Sequence, residues 1–156
     1  MNRYRRWTGV AVASILLGTA ACSSSSPASG SPPATKAAGQ RSQNVQVDLK
    51  QWSVTPSTTP GSGSVTFTVS NDGTVPHEFV VLKTDTPSAE IPLGKFEGEP
   101  DRINEDTAGT NVGETGDMEP GTTKTVTIDL APGHYVFLCN LPGHFQSGMH
   151  FDVTVS

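Results

Sequence analysis

Short runs of alternating apolar and polar residues dominate the chain from Asn44 onward, and they constrain its fold more than any other feature. The apolar positions recur at every second residue rather than at helical spacing, which is typical of half-buried β-strands. The runs lie at 45–49, 65–69, 126–130, 135–139 and 149–155, with a continuous apolar strand at 77–82. Turn-forming Gly, Pro, Asn and Asp residues separate them. This pattern predicts an all-β domain over 44–156, built as an antiparallel β-sandwich.

The N-terminal residues are typical of an export signal. Three arginines are followed by an uncharged stretch, Gly9–Ala21, that ends at Cys22. This stretch has 13 residues, whereas a membrane-spanning helix needs about 20. We therefore expect residues 1–21 to be a signal peptide. Leu17–Cys22 resembles the lipobox of bacterial lipoproteins, with Thr19 where leucine is usual, and cleavage there would leave Cys22 carrying a lipid.

Residues 22–43 have the composition of a tether. Ser, Pro, Ala, Gly and Thr predominate, and such a composition buries too little apolar surface to become ordered. We expect a lipidated Cys22 followed by a disordered tether, so that the folded domain works outside the cytoplasm, anchored to the cell membrane. Without lipidation the protein would be secreted.

Residues 90–119 interrupt the strand pattern. The segment has few apolar residues and carries nine acidic residues against two basic ones, Lys95 and Arg102. We interpret it as an acidic insertion in the sandwich. A solvated loop kept soluble by its charge is the first interpretation, and attraction of a basic redox partner is the alternative.

The two cysteines do not indicate a disulfide. If Cys22 carries a lipid or lies in a tether, Cys139 is the one cysteine of the folded domain. An unpaired thiol in an oxidising compartment is vulnerable to oxidation. Its presence therefore indicates burial, metal ligation or nucleophilic catalysis.

The residues that follow Cys139 favour a metal. Four residues separate Cys139 from His144, and four more separate His144 from Met149. Thiolate and thioether sulfur are soft ligands that suit Cu(I), while imidazole also accepts Cu(II). A turn containing Pro142 and Gly143 can bring the cysteine and the histidine to one point. The spacing predicts a site for one copper ion in this loop.

A second imidazole has to come from elsewhere in the chain. His134 lies five residues before the cysteine on the same expected strand, about 16 Å away and on the opposite face. His150 follows the methionine, and if the methionine and Phe151 point inward, alternation turns His150 outward. His77 begins the continuous apolar strand after a turn, and we assign it as the second imidazole.

These motifs resemble those of the cupredoxins. The resemblance covers the turn at 71–73, the strand at 77–81, the strand at 133–139 and the loop that follows it, which together represent most of 44–156. The loop spacing is similar to that of rusticyanin and sulfocyanin. Glu78 is a departure, because plastocyanin and azurin have there an asparagine that links the ligand loops by hydrogen bonds.

The resemblance implies a Greek-key cupredoxin sandwich that holds one type 1 copper ion. Three trigonal ligands and a weak axial methionine are implied: His77, Cys139, His144 and Met149. The implied role is one-electron transfer by Cu(I)/Cu(II) cycling. The edge of the His144 ring would then emerge within an apolar patch formed by Leu141, Pro142 and Phe145.

The implied partners are redox proteins, such as a c-type cytochrome or a membrane oxidase, which the lipid anchor would bring close. Nucleic acid is not an expected partner, and we expect a monomer that is not an enzyme. An extracytoplasmic copper carrier or scavenger with the same ligands is the alternative function, although the tether and the insertion contain no Met- or His-rich handover segment. A cysteine enzyme is disfavoured, because the residues adjacent to Cys139 and His144 supply no orienting acid.

Overall fold

The computed structural model describes residues 43–156. The expected signal peptide, the expected lipidation site Cys22 and the tether up to residue 42 lie outside the described residues, so these expectations stay predictions. The described residues form ten strands: β1 (Gln43–Lys50), β2 (Ser53–Pro56), β3 (Gly63–Asn71), β4 (Val80–Lys83), β5 (Leu93–Phe96), β6 (Glu99–Ile103), β7 (Thr110–Glu114), β8 (Thr123–Leu130), β9 (Gly133–Leu138) and β10 (His150–Val155). A 3-10 helix spans Ser88–Glu90, and a one-turn helix, α1, spans Glu105–Ala108.

Two four-stranded sheets and one hairpin make up the described part of the chain. The first sheet has the order β2-β1-β3-β8 and the second the order β10-β9-β4-β7, while β5 and β6 pair with each other. The prediction of an all-β sandwich is confirmed. One pairing differs from the antiparallel expectation, because β1 and β3 run parallel. The intervening β2 lies on the outer edge of β1, so the chain crosses β1 before it begins β3.

The core lies between the inner faces of the two sheets. Val45, Val47 and Leu49 of β1 are buried while the residues between them are exposed, as the alternation predicts. Phe67 contacts two aromatic rings of the facing sheet, with centroid distances of 5.3 Å to Phe79 and 5.4 Å to Phe137. Cys139 and Met149 belong to the same apolar cluster, which therefore extends up to the predicted ligand loop.

A second apolar cluster covers the outer face of β4 and β9. It joins residues of both strands to residues of the acidic segment and the ligand loop: Val80, Leu82, Val136, Leu138, Ile91, Ile103 and Phe145. These two strands are consequently buried on both faces. The acidic segment is therefore more than a solvated loop, since it covers one sheet face and also supplies the edge strand β7.

Two strand details differ from the sequence-based expectation. The regular ladder of β4 begins at Val80, and His77 forms an isolated bridge with Met118. Phe151 was expected to point inward but is 40% exposed, and the inward positions resume at Val153. No helix among residues 43–156 is long and apolar enough to cross a membrane.

Candidate metal centre

Three of the four predicted ligands converge at one end of the sandwich. One donor atom from each of His77, Cys139 and His144 lies within 4.8 Å of the other two. The Nδ1 atoms of the two imidazoles are 3.2 Å apart, and the sulfur of Cys139 is 3.3 Å from Nδ1 of His144. Residues far apart in the chain thus present two nitrogens and one sulfur to a common point.

Backbone pairing and a tight turn position His77. Its N–H donates to the carbonyl of Met118 at 3.1 Å and its carbonyl accepts the Met118 N–H at 2.7 Å. The buried Asn71 side chain donates to the carbonyls of Val75 and Met118 and accepts the Gly73 N–H. A Cβ on Gly73 would lie 2.8 Å from Nε2 of His77, so this turn needs a glycine to leave room for the ring.

The histidine rings are held in the neutral form. Burial, and then the neighbouring His144, lower the pKa of His77 to about 4. Burial also lowers the pKa of His144. Nε2 of His77 is buried without a hydrogen-bond partner among the described residues, while its Nδ1 points to the other two donors. Neutral imidazole is the form that binds a metal ion.

Cys139 follows β9 and is fully buried. Its N–H donates to the carbonyl of Met149 at 3.0 Å, and its sulfur accepts the N–H of Glu78 at 3.4 Å. Burial raises the pKa of the thiol to about 12, although backbone N–H groups of Glu78 and Leu141 oppose this change. The thiol is therefore protonated at neutral pH unless a cation takes the place of its proton.

The loop after Cys139 folds back on itself through a turn at Gly143. Gly143 has a φ of 80°, in the left-handed region that glycine tolerates. The His144 N–H donates to the carbonyl of Leu141 at 2.9 Å, and the Met149 N–H donates to the carbonyl of His144 at 3.2 Å. These bonds return Met149, which is fully buried, to the side of Cys139. The ligand role of Met149 remains a prediction.

A buried polar network links the ligand loops to the acidic segment. The Asn140 N–H donates to the carboxylate of Glu78 at 3.0 Å. The Asn140 amide accepts the N–H of Ile103 and donates to the Ile103 carbonyl and to Glu105. Arg102 pairs with Glu78 at 3.8 Å. Glu78 thus links the two ligand-bearing segments, although it differs from the asparagine of plastocyanin and azurin.

Glu78 lies in an unusual electrostatic environment for a carboxyl group. Burial raises its pKa to about 7, while Arg102 and the hydrogen bond from Asn140 work in the opposite direction. A polar cleft of about 460 Å³ lies beside it, and the cleft walls include Arg102, Glu97 and Glu105.

The remaining two histidines lie outside the cluster. The ring nitrogens of His134 are 2.7 Å from the carbonyl of Thr84 and 3.0 Å from the carboxylate of Asp152. The ring of His150 is partly buried and packs 4.8 Å from that of Phe145. Phe145 is itself only 5% exposed, so it does not contribute to an apolar surface patch around His144 as expected.

Two residues at the site were missed by sequence analysis. Trp52 packs edge-on against His144 with ring centroids 5.1 Å apart. Asn140 connects the loop to the acidic segment through the bonds given above. The adjacency of Asn140 to the cysteine was a usable signal, whereas nothing in the local sequence of Trp52 indicates that it meets His144.

The residues present fit a copper ion. Two neutral imidazole nitrogens and a sulfur converge at one point, and a buried methionine is held beside them. A set of two imidazole nitrogens and a soft sulfur donor, with a thioether nearby, is characteristic of sites that bind copper in both oxidation states. The apolar surroundings restrict access of solvent to the thiol.

Comparisons with solved structures find the same fold. Reduced auracyanin from Roseiflexus castenholzii has a TM-score of 0.53 and 25% identity, covering 75% of this chain and 98% of its own. Auracyanin B has a TM-score of 0.51 and 24% identity over 73% and 88%. Rusticyanin from Thiobacillus ferrooxidans has a TM-score of 0.52 and 18% identity over 76% and 79%. No curated protein matches the sequence.

The sandwich and its His–Cys–His cluster define a cupredoxin, a blue copper protein with one type 1 copper ion. The sulfocyanin (SoxE) domain matches residues 57–156. The chain belongs to the sulfocyanin family, and the resemblance to cupredoxins stated from its motifs is confirmed.

Proposed function

We propose that this protein is a one-electron carrier whose copper is held by His77, Cys139, His144 and Met149. The convergence of three donor atoms within 4.8 Å, in a chain of the sulfocyanin family, carries the proposal. Bound copper would supply the Cu(I)/Cu(II) couple. The chain holds the donors in place through buried hydrogen bonds, so few groups have to move when the charge of the site changes.

The partners that we propose are redox proteins outside the cytoplasm, such as a c-type cytochrome or a membrane oxidase. A lipid on Cys22 would keep the carrier at the membrane where such partners lie. His144 is the proposed exit because it is the partly exposed member of the donor cluster, whereas His77 and Cys139 are fully buried. The role is that of a carrier rather than an enzyme.

Removal of each sulfur ligand tests the proposal. The unmodified protein should bind one copper per chain and show an intense visible band that ascorbate bleaches reversibly. Cys139→Ala should abolish the band, because the colour arises from the copper-bound thiolate. Met149→Leu should retain copper and raise the reduction potential. Absorption spectra, copper content and voltammetry measure these three results.

Two outcomes would contradict the assignment. Loss of copper in Met149→Leu together with its retention in Cys139→Ala would exclude the proposed ligand roles. Colourless protein that binds Cu(I) alone would favour a copper carrier over an electron carrier. Gln146→Ala, at an exposed position of the same loop, is the matched control and should leave the spectrum unchanged.

A further inference from the structure

Trp52 lies between His144 and solvent. Its ring contacts the imidazole at a centroid distance of 5.1 Å with an interplanar angle of 72°. At the same time the side chain is 47% exposed. The indole therefore contacts the most exposed of the converging donor residues, and about half of its side chain stays accessible to a second molecule.

The turn that carries Trp52 is fixed on two sides. The Gln51 amide donates to the hydroxyl of Thr74 at 2.6 Å and accepts the Thr74 N–H at 3.1 Å, in the loop that leads to His77. On the other side, a Cβ on Gly148 would lie 3.2 Å from the Trp52 carbonyl. The turn is thus held in place on both sides, and the indole packs against His144, so less order has to be gained when a partner arrives.

Among residues 43–156, Trp52 is the exposed large apolar residue whose ring contacts a donor residue. Leu93 and Phe151 are also exposed, at 40% each, but neither has a ring contact with a donor residue among those described. Phe145, the aromatic residue next to His144 in the chain, is buried in the second apolar cluster. Tryptophan is enriched among residues that dominate protein contacts, because it offers a large rigid apolar surface.

We propose that Trp52 is the contact through which a redox partner exchanges an electron with the metal centre. The inference rests on the proposed function and extends it to a specific residue. The partner is a redox protein that presents an apolar surface around its own redox group, because only such a surface gains by covering the indole. One electron passes from the reduced partner to the oxidised centre; no bond forms or breaks, and Trp52 is not itself oxidised.

Electron self-exchange provides the test, since a second copy of the chain is a partner with a known surface. The full-length protein is compared with Trp52→Leu, Trp52→Phe and the control Phe151→Leu, which removes an aromatic ring of similar exposure on β10. Self-exchange between reduced and oxidised copies is measured by NMR line broadening. In the metal-free protein, a nuclear Overhauser contact between Trp52 and His144 ring protons gives a readout independent of copper.

We expect Trp52→Leu to slow self-exchange by about tenfold or more, the loss typical of truncating a tryptophan at the centre of a contact. Its visible spectrum and reduction potential should remain those of the unmodified protein. Trp52→Phe should retain most of the rate, and Phe151→Leu should leave it unchanged.

Three results would overturn the inference. The first is a self-exchange rate in Trp52→Leu that equals that of the unmodified protein. The second is an altered spectrum or potential in Trp52→Leu, which would make Trp52 a positioning residue for the metal rather than the partner contact. The third, absence of copper or of exchange in the unmodified protein, would overturn the proposed function itself and is recognised without any variant.

Discussion

Cys139 is in an environment that favours the protonated thiol when no metal is bound. The sulfur is fully buried, and burial raises its pKa to about 12. The two imidazoles behave in the opposite way, because burial favours their neutral form: it lowers the pKa of His77 to about 4 and also lowers that of His144. Among the ligands, metal binding near neutral pH therefore has to release one proton, from the thiol, and none from the histidines.

The affinity for copper should consequently rise with pH. Release of one thiol proton predicts an increase of about tenfold per pH unit between about pH 6.5 and pH 9, where both imidazoles are neutral. Below about pH 4 the dependence should steepen, because His77 also becomes protonated. Competition titrations with a chelator of known protonation behaviour measure how copper affinity changes with pH.

The titration of Glu78 also contributes to the pH dependence of copper affinity and has to be separated from that of the thiol. Its pKa is raised to about 7, so loss of its proton adds a further increase in affinity around neutral pH. In a Glu78→Gln background, the logarithm of copper affinity should therefore rise by one per pH unit, a slope of one. In the same background, Cys139→Ser should remove most of this pH dependence. A slope of one that persisted in Glu78→Gln/Cys139→Ser would show that the released proton does not come from the thiol.

At the scale of elements, the acidic segment is part of the structure around the metal centre. The hairpin of β5 and β6 presents Ile103 to the outer face of β4 and β9. Hydrogen bonds then join this hairpin to the ligand loop, from Ile103 to Asn140 and from Gly143 to the carbonyl of Asp101. Packing of this segment and order of the loop should therefore be coupled.

Ile103→Ala should destabilise the protein. The side chain is fully buried, and truncation of such a residue typically lowers the free energy of unfolding by about 2–5 kcal/mol. Leu93→Ala is the matched control, because Leu93 faces Ile103 in the hairpin register but is 40% exposed. Denaturant unfolding of both variants measures the difference. Equal losses in the two variants would show that the hairpin does not pack on the sheet.

At the scale of the whole molecule, negative charge is concentrated beside the ligand loop. Nine of the 15 acidic residues of the chain lie in 90–119. The bond between Gly143 and Asp101 places this segment next to the loop that carries His144. The field around the proposed exit should attract cations and repel anions within about 10 Å at moderate ionic strength.

Small redox reagents of opposite charge should reveal this asymmetry. Oxidation of the reduced protein by a cationic cobalt complex should slow as salt is added, whereas oxidation by ferricyanide should accelerate. Asp101→Asn should weaken the salt dependence, and Asp129→Asn, at the end of β8 remote from the metal centre, is the control. Stopped-flow kinetics over a range of ionic strength measure both. Equal salt dependence for the two reagents would exclude local steering.

The sequence by itself determined the sandwich class and all three residues whose donor atoms converge. Alternation with a period of two reports which strand face is buried, and the short spacing from Cys139 to His144 confines both to one loop. The parallel pairing of β1 with β3, the exposure of Phe151 and the burial of Phe145 were decided only by the tertiary structure. The same holds for the contacts of Trp52 and Asn140, because these join segments far apart in the chain, and local patterning carries no information about which distant segment covers a given face.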